Sequence, residues 1–167
     1  LPPLAQRDWL AQALARPAPE SARNLSDGFR LPGREGTTTA AAVLVPLVNR
    51  PDGLTVLLTQ RSAGLPDHPG QISFPGGRID PGDVTPTAAA LREAQEEVGL
   101  PPECVTVLGN LATYETVTGY SVTPVVGWVE PPFAVVPDPV EVDDVFEVPL
   151  KFMLEPENVF LWHSVGG

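Results

Sequence analysis

Residues 92–100 read Arg92-Glu93-Ala94-Gln95-Glu96-Glu97-Val98-Gly99-Leu100. The chemistry around them writes a helix with both ends marked. Thr85 is an N-cap residue type, and Pro86 suits the first helical position. Gly99 fits the left-handed residue just past the end, with Leu100 closing the cap. At about 3.6 residues per turn, Glu93 and Glu97 stand one above the other, and Glu96 lies on the adjacent flank of the same face. Leu91, Ala94 and Val98 form the opposite stripe, which is expected to be buried. Three like charges this close repel one another. The nearby cation, Arg92, is spaced to pair Glu96 at i,i+4. A hard divalent cation would offset the repulsion, because carboxylate oxygens suit Mg²⁺. An isolated Glu-x-x-Glu-Glu is otherwise read as a solvated acidic face.

Working outward, Phe74-Pro75-Gly76-Gly77 places two glycines in a loop after a short apolar piece, Ile72 to Phe74. Glycine lets the backbone approach a ligand closely; its carbonyls can add metal ligands and its amides can meet a phosphate. Two strands are expected further upstream, Thr38 to Val48 and Leu54 to Gln60, joined by a turn carrying Asp52-Gly53. Downstream, Val105 to Thr116 and Ser121 to Val129 read as two more strands. Glu141 to Leu150 leads to a short helix at Lys151 to Leu154 and a strand at Val159 to Trp162. A short helix is expected from Asp8 to Arg16, followed by a mobile or irregular stretch from Pro17 to Gly36. The chain is thus expected to be a single globular domain overall, with residues 1–36 a helix and irregular lead-in and residues 37–167 its main body. The mixed order of strands and helices points to an α/β or α+β domain with a mixed sheet.

The segment Gly77-x5-Asp83-x8-Arg92-Glu93-Ala94-x-Glu96-Glu97-x-Gly99-Leu100 closely resembles the Nudix box. Asp83 stands where that box usually has Glu, and the spacing before Arg92 is one residue longer. The resemblance implies an α/β/α sandwich whose box helix holds metal ions. It implies Glu93 and Glu97 as primary metal ligands, with a Gly76 or Gly77 carbonyl nearby. Glu96 becomes a third ligand or the general base, and Arg92 orients the carboxylates. Nudix subfamilies recruit the base from different places, so Glu141, Asp143 and Asp144 are alternatives. Ahead of the box, Leu57-Leu58-Thr59-Gln60-Arg61-Ser62 and Gly70-Gln71-Ile72-Ser73-Phe74-Pro75-Gly76-Gly77 look like the signature of coenzyme A pyrophosphatases. That signature usually carries Arg at the position of Pro66, whereas His68, Gly70 and Gln71 match it. Arg61 and His68 become candidate contacts to substrate phosphate, and Gln71 either reads an adenine edge or caps the loop.

The reaction this resemblance implies is hydrolysis of the coenzyme A pyrophosphate bond to 3′,5′-ADP and 4′-phosphopantetheine, with Mg²⁺ as cofactor and Mn²⁺ as an alternative on the same hard oxygen ligands. Alternatives are a Nudix pyrophosphatase of ADP-ribose, NADH or a nucleoside triphosphate, or a non-catalytic nucleotide sensor. Composition narrows the partners. The net charge of −11 argues against nucleic acid, whose binding needs Lys and Arg to displace counterions. No apolar run approaches a membrane span of about 20 residues. The single cysteine, Cys104, excludes an internal disulfide framework and agrees with a reducing cytoplasm. The opening Leu1-Pro2-Pro3 carries neither an initiator Met nor a signal-peptide pattern, so a trimmed start or a leader ahead of it is expected.

Overall fold

The apolar run around Ala40 to Val48 alternates its side chains between two faces, and both faces find a partner. The structure is a computed structural model that describes residues 2–23, 25–36 and 38–158. In chain order it comprises α1 (Pro3–Leu14), β1 (Leu25–Ser26), β2 (Thr39–Arg50), β3 (Gly53–Arg61), β4 (Ile72–Ser73) and β5 (Gly76–Arg78). There follow α2 (Pro86–Val98), β6 (Val105–Asn110), β7 (Tyr114–Glu115), β8 (Tyr120–Val129), β9 (Val142–Pro149) and α3 (Leu150–Leu154). The strands form one mixed sheet in the order β1-β7-β8-β2-β3-β4, with β5 also on β2, β6 on β8 and β9 on β3. The β2–β8 and β1–β7 pairs are parallel and the rest antiparallel.

Ala42, Leu44 and Val48 of β2 point to one face, where Ala89, Ala90, Ala94 and Val98 of α2 cover them along with Leu57, Val125 and Val129. Leu47 points to the other, with Val56, Leu58 and Val126, under Leu10 and Leu14 of α1 and Leu150 and Met153 of α3. The period-two alternation of the strands therefore feeds two cores, and the expected α/β/α layering results. Gly127 permits the close fit on the α2 side, since a Cβ there would lie 2.5 Å from the Val105 side chain. Among the described residues no helix is long and apolar enough to cross a membrane.

The expected hairpin is present, with Arg50 opposite Gly53 across the Pro51-Asp52 turn. Four expectations need correction. The first helix begins earlier, at Pro3, and ends at Leu14, because a proline is tolerated where the first-turn amides have no partner anyway. The run Val105 to Thr116 is two strands rather than one. It breaks opposite Pro124 of β8, which accepts from the Leu111 amide at 2.9 Å but has no N–H to return. The Gly76-Gly77 segment is a strand on β2 rather than a loop. A Cβ at Gly76 would meet the Ala42 carbonyl oxygen at 2.4 Å, so glycine is what allows that approach. Lastly, the stretch from Pro17 to Gly36 is not simply irregular: β1 pairs with β7, and the residues after it bond to the 114–117 segment. The expected strand at Val159 to Trp162 lies outside the described residues.

Candidate active site

Helix α2 has the ends its sequence specifies. The Thr85 hydroxyl accepts from the Ala88 amide at 3.1 Å. Gly99 sits at φ 70°, and the Gly99 and Leu100 amides bond back to the Gln95 and Ala94 carbonyls. These caps fix where the helix begins and ends, and the packing of Ala89, Ala90, Ala94 and Val98 on the sheet fixes its rotation and hence where each carboxylate points.

The three glutamates part company. Glu97 is 5% exposed and belongs to the buried face with Ala90, Ala94 and Val98, not to a face opposite them. The spacing explains this: position 97 follows Ala94 by three residues and Ala90 by seven, so it shares their side of the helix. Its carboxylate receives one long hydrogen bond, from the Gly76 amide at 3.4 Å. Burial pushes its pKa up to about 7, helped by the charges of Glu93 and Glu141 and opposed by the Gly76 amide and Arg61. Glu93 is also raised, by burial first, against the pull of Arg92. Its carboxylate lies flat on Gly77, where a Cβ would come within 2.7 Å of it. Glu96 is turned to solvent, its side chain 58% exposed, and takes a 3.1 Å bond from Arg92.

Arg92 is the hub of a polar network. Nε and one terminal nitrogen grip both oxygens of Asp83 at 3.0 and 2.9 Å, and the guanidinium also meets Asp80, Glu93, Glu96 and the Arg78 carbonyl. Asp83 is held below the usual carboxylate range by Arg92 and by the Asp80 amide. The shorter carboxylate at position 83 thus still reaches the box arginine, a contact that the sequence left open.

A cleft of about 560 Å³ opens over this floor. Glu93, Glu97, Gly76, Gly77, Arg61, His68 and Gln71 all line it, so the segment before the box and the box helix meet there. Glu96 and Arg92 do not line it. Arg61 donates twice to the Asp67 carbonyl, at 3.3 and 3.1 Å. His68, held at φ 50°, meets the Thr118 hydroxyl at 3.3 Å through Nε2. Gln71 closes the same loop through its backbone, accepting from the Arg61 amide at 2.8 Å. Pro66 lines the cleft at the place where the coenzyme A signature has Arg. Of the three distal acids, Glu141 lines the cleft. Asp143 is exposed and accepts from the Ala63 amide, and Asp144 is exposed on β9.

Sequence reasoning missed Arg78, Thr116, Thr118 and Tyr120, which complete the walls. The Arg78 guanidinium lies over the Tyr120 ring, 5.7 Å from its centre, and donates to its hydroxyl at 3.1 Å. Arg78 directly follows the glycine pair and was open to detection. The residues from β8 and its preceding turn carry no local motif, because the sheet alone brings them across.

The NUDIX domain family model matches residues 38–165. This chain belongs to the Nudix family. It is 57% identical over 111 residues to a Klebsiella pneumoniae protein called uncharacterized Nudix hydrolase NudL, and 54% identical to its Escherichia coli K12 counterpart. Each match covers 66% of this chain, and the chain spans 57% of the length of those relatives. Among solved structures it is similar to a Caenorhabditis elegans Ap4A hydrolase binary complex, with TM-score 0.57 and 26% identity over 68% of this chain and 81% of that one. The Nudix hydrolase RenU from M. smegmatis gives TM-score 0.55 and 29% identity over 68% and 72%. The mixed sheet and flanking helices are thus those of the Nudix fold.

Proposed function

We propose that this Nudix chain hydrolyses a pyrophosphate bond in a nucleoside-diphosphate derivative, and that its substrate is coenzyme A, cut to 3′,5′-ADP and 4′-phosphopantetheine. The observation that carries the reading is the convergence of Glu93 and Glu97, on the box helix, with Arg61, His68 and Gln71, from the segment before the box, in one cleft. Glu97 is buried and Glu93 half-buried, burial raises the pKa of both, and the charge of Glu93 raises Glu97 further, so carboxylate oxygens crowd the floor of the cleft even with Arg92 on Glu93. Hard oxygen donors of this kind fit Mg²⁺ or Mn²⁺. Mg²⁺ is commonly held by one or two carboxylates plus substrate phosphates, so a full protein cage is not required. Among the described residues no such cage of three or more ligating side chains is drawn together.

Glu93 and Glu97 would hold the ion, with Glu96 joining from the exposed flank or through water and a Gly76 or Gly77 carbonyl adding a backbone oxygen. A bound divalent ion supplies charge neutralisation at the diphosphate and a lowered pKa for an attacking water. Arg61 and His68 bind phosphate oxygens, and Gln71 reads the adenine edge. Glu141 takes the proton of the attacking water. It is preferred to Glu96 as the base because Glu96 is engaged by Arg92 outside the cleft. Arg92 acts behind the site by fixing Glu93. The working setting is the cytoplasm, matching the lone cysteine, and the partner is a small nucleotide rather than nucleic acid.

Pro66 favours a second reading, in which another nucleoside-diphosphate derivative such as ADP-ribose or NADH is the substrate. The test is incubation with coenzyme A, ADP-ribose and NADH in Mg²⁺, with products identified by mass. Release of 3′,5′-ADP and phosphopantetheine, abolished by EDTA, supports the first reading. Turnover of ADP-ribose or NADH alone replaces it with the second, and tight binding without turnover points to a sensor.

A further inference from the structure

The family match begins at residue 38, yet the structure ties an earlier segment to the wall of the cleft. Residues 25–31 run beside residues 114–117 and are bonded to them at nearly every step. β1 pairs in parallel with β7, and the Asp27 amide donates to the Glu115 carbonyl at 3.1 Å. The Asp27 carboxylate accepts from the Val117 amide at 2.7 Å and from the Tyr114 hydroxyl. Arg30 donates to the Thr116 carbonyl and, at 2.8 Å, to Glu115. The Leu31 amide donates to the Val117 carbonyl at 3.0 Å. The Arg30 side chain is 18% exposed, so it is packed in place rather than swinging in solvent.

What this segment holds is the functional part of the wall. Thr116 and Thr118 line the cleft. Their hydroxyls bond to each other at 3.0 Å, Thr116 also takes the Tyr120 amide, and Thr118 meets His68 from the opposite loop. A chain of contacts therefore runs from Arg30 through Thr116 to Thr118 and His68, and Asp27 holds Val117, the residue between the two threonines. Left to itself, the turn between β7 and β8 would have many conformations to lose on binding ligand, and pinning it in advance removes that cost.

We propose that residues 25–31 belong to the substrate-recognition machinery, with Asp27 and Arg30 as positioning residues that hold Thr116 and Thr118 against His68. The inference rests on the cleft being the nucleotide site. Neither residue touches the cleft, so both act on affinity and leave the chemical step alone. The full chain would be compared with Asp27→Asn, Arg30→Gln and Arg30→Lys, and with Glu115→Gln as a control. The control removes the charge of the exposed partner of Arg30 but keeps the bond to the Thr116 carbonyl.

Asp27→Asn and Arg30→Gln are expected to raise KM for coenzyme A about tenfold, with kcat within about twofold of the parent, because ordering cost falls on binding. Arg30→Lys should fall between, and Glu115→Gln should match the parent. Dissociation constants for ADP, measured by calorimetry in Mg²⁺, should follow the same order. The ring signals of His68, assigned by loss in His68→Asn, should shift in Asp27→Asn and Arg30→Gln without any ligand. Unchanged KM, unchanged ADP affinity and an unmoved His68 signal would overturn the inference, and so would an equal fall in kcat. If the parent chain turns over no coenzyme A, the proposed substrate fails, and ADP affinity judges the segment. If it binds no ADP either, the His68 signal decides.

Discussion

At position 97 the helix buries a carboxylate with one long hydrogen bond to offset its desolvation. An unfolded Glu97 titrates near its ordinary value of 4.5, and the folded group near 7. A raised carboxylate pKa means that the folded state holds its proton longer. Without metal, the contribution of Glu97 to stability is therefore fully present below about pH 4.5 and declines as pH rises through 7, by up to about 3 kcal/mol. Glu97→Gln should remove this loss. Melted in EDTA, the variant should match the parent at low pH and exceed it increasingly between pH 4.5 and 7. The same substitution should cut turnover by more than about 100-fold, the upper range for removing a group that merely supports a metal ligand. A parent-like rate would dismiss Glu97 as a ligand. Gly77 makes a companion case. A methyl group there collides with the Glu93 carboxylate, so Gly77→Ala should lower kcat sharply while circular dichroism shows the fold intact.

At the scale of elements, α2 depends on its ends. Thr85→Ala removes the hydroxyl that caps Ala88 and should cost about 1 kcal/mol in denaturant titration. Gly99→Ala should cost more. Position 99 has φ 70°, and a Cβ there would lie 2.8 Å from the Val136 side chain, so backbone strain and a collision add together. If Gly99→Ala proved no worse than Thr85→Ala, the close packing of the residue 136 segment on the helix end would be in question. The helix was legible because its caps are local chemistry within one turn of each end. The split of the strand at residues 111–113 was less so. The cause, Pro124, lies in a partner strand, and its effect falls on a neighbour that sequence does not identify.

At the scale of the whole molecule, the sheet carries two cores and one cleft. Leu44 is fully buried between β2 and α2, and Leu44→Ala should cost about 2–5 kcal/mol in unfolding experiments. Ion binding should act in the opposite direction. A divalent ion bound only by the folded state raises the melting temperature, by an amount that grows with the logarithm of its concentration over its dissociation constant. Because the ion competes with the Glu97 proton, the shift produced by Mg²⁺ should be large above pH 7 and fade below it. A shift independent of pH would place the ion elsewhere.

The box helix, its caps, the hairpin between β2 and β3 and the mixed α/β character were written along the chain, since each depends on residues within a few positions of one another. So were Glu93, Glu97, Arg61, His68 and Gln71 as site candidates, because they fall inside contiguous motifs. Folding decided the rest. It turned Glu97 inward and Glu96 outward, a choice made by which side of the helix the sheet covers. It brought Glu141 from the turn before β9, rather than Asp143 or Asp144 from the strand, to the cleft that holds the carboxylate pair. It laid Arg78 over Tyr120 and stitched residues 25–31 to the cleft wall. These contacts join positions some 40 to 90 residues apart. Their registers are set by sheet pairing and by the fit of two cores, and neither leaves a periodic or local mark in the sequence.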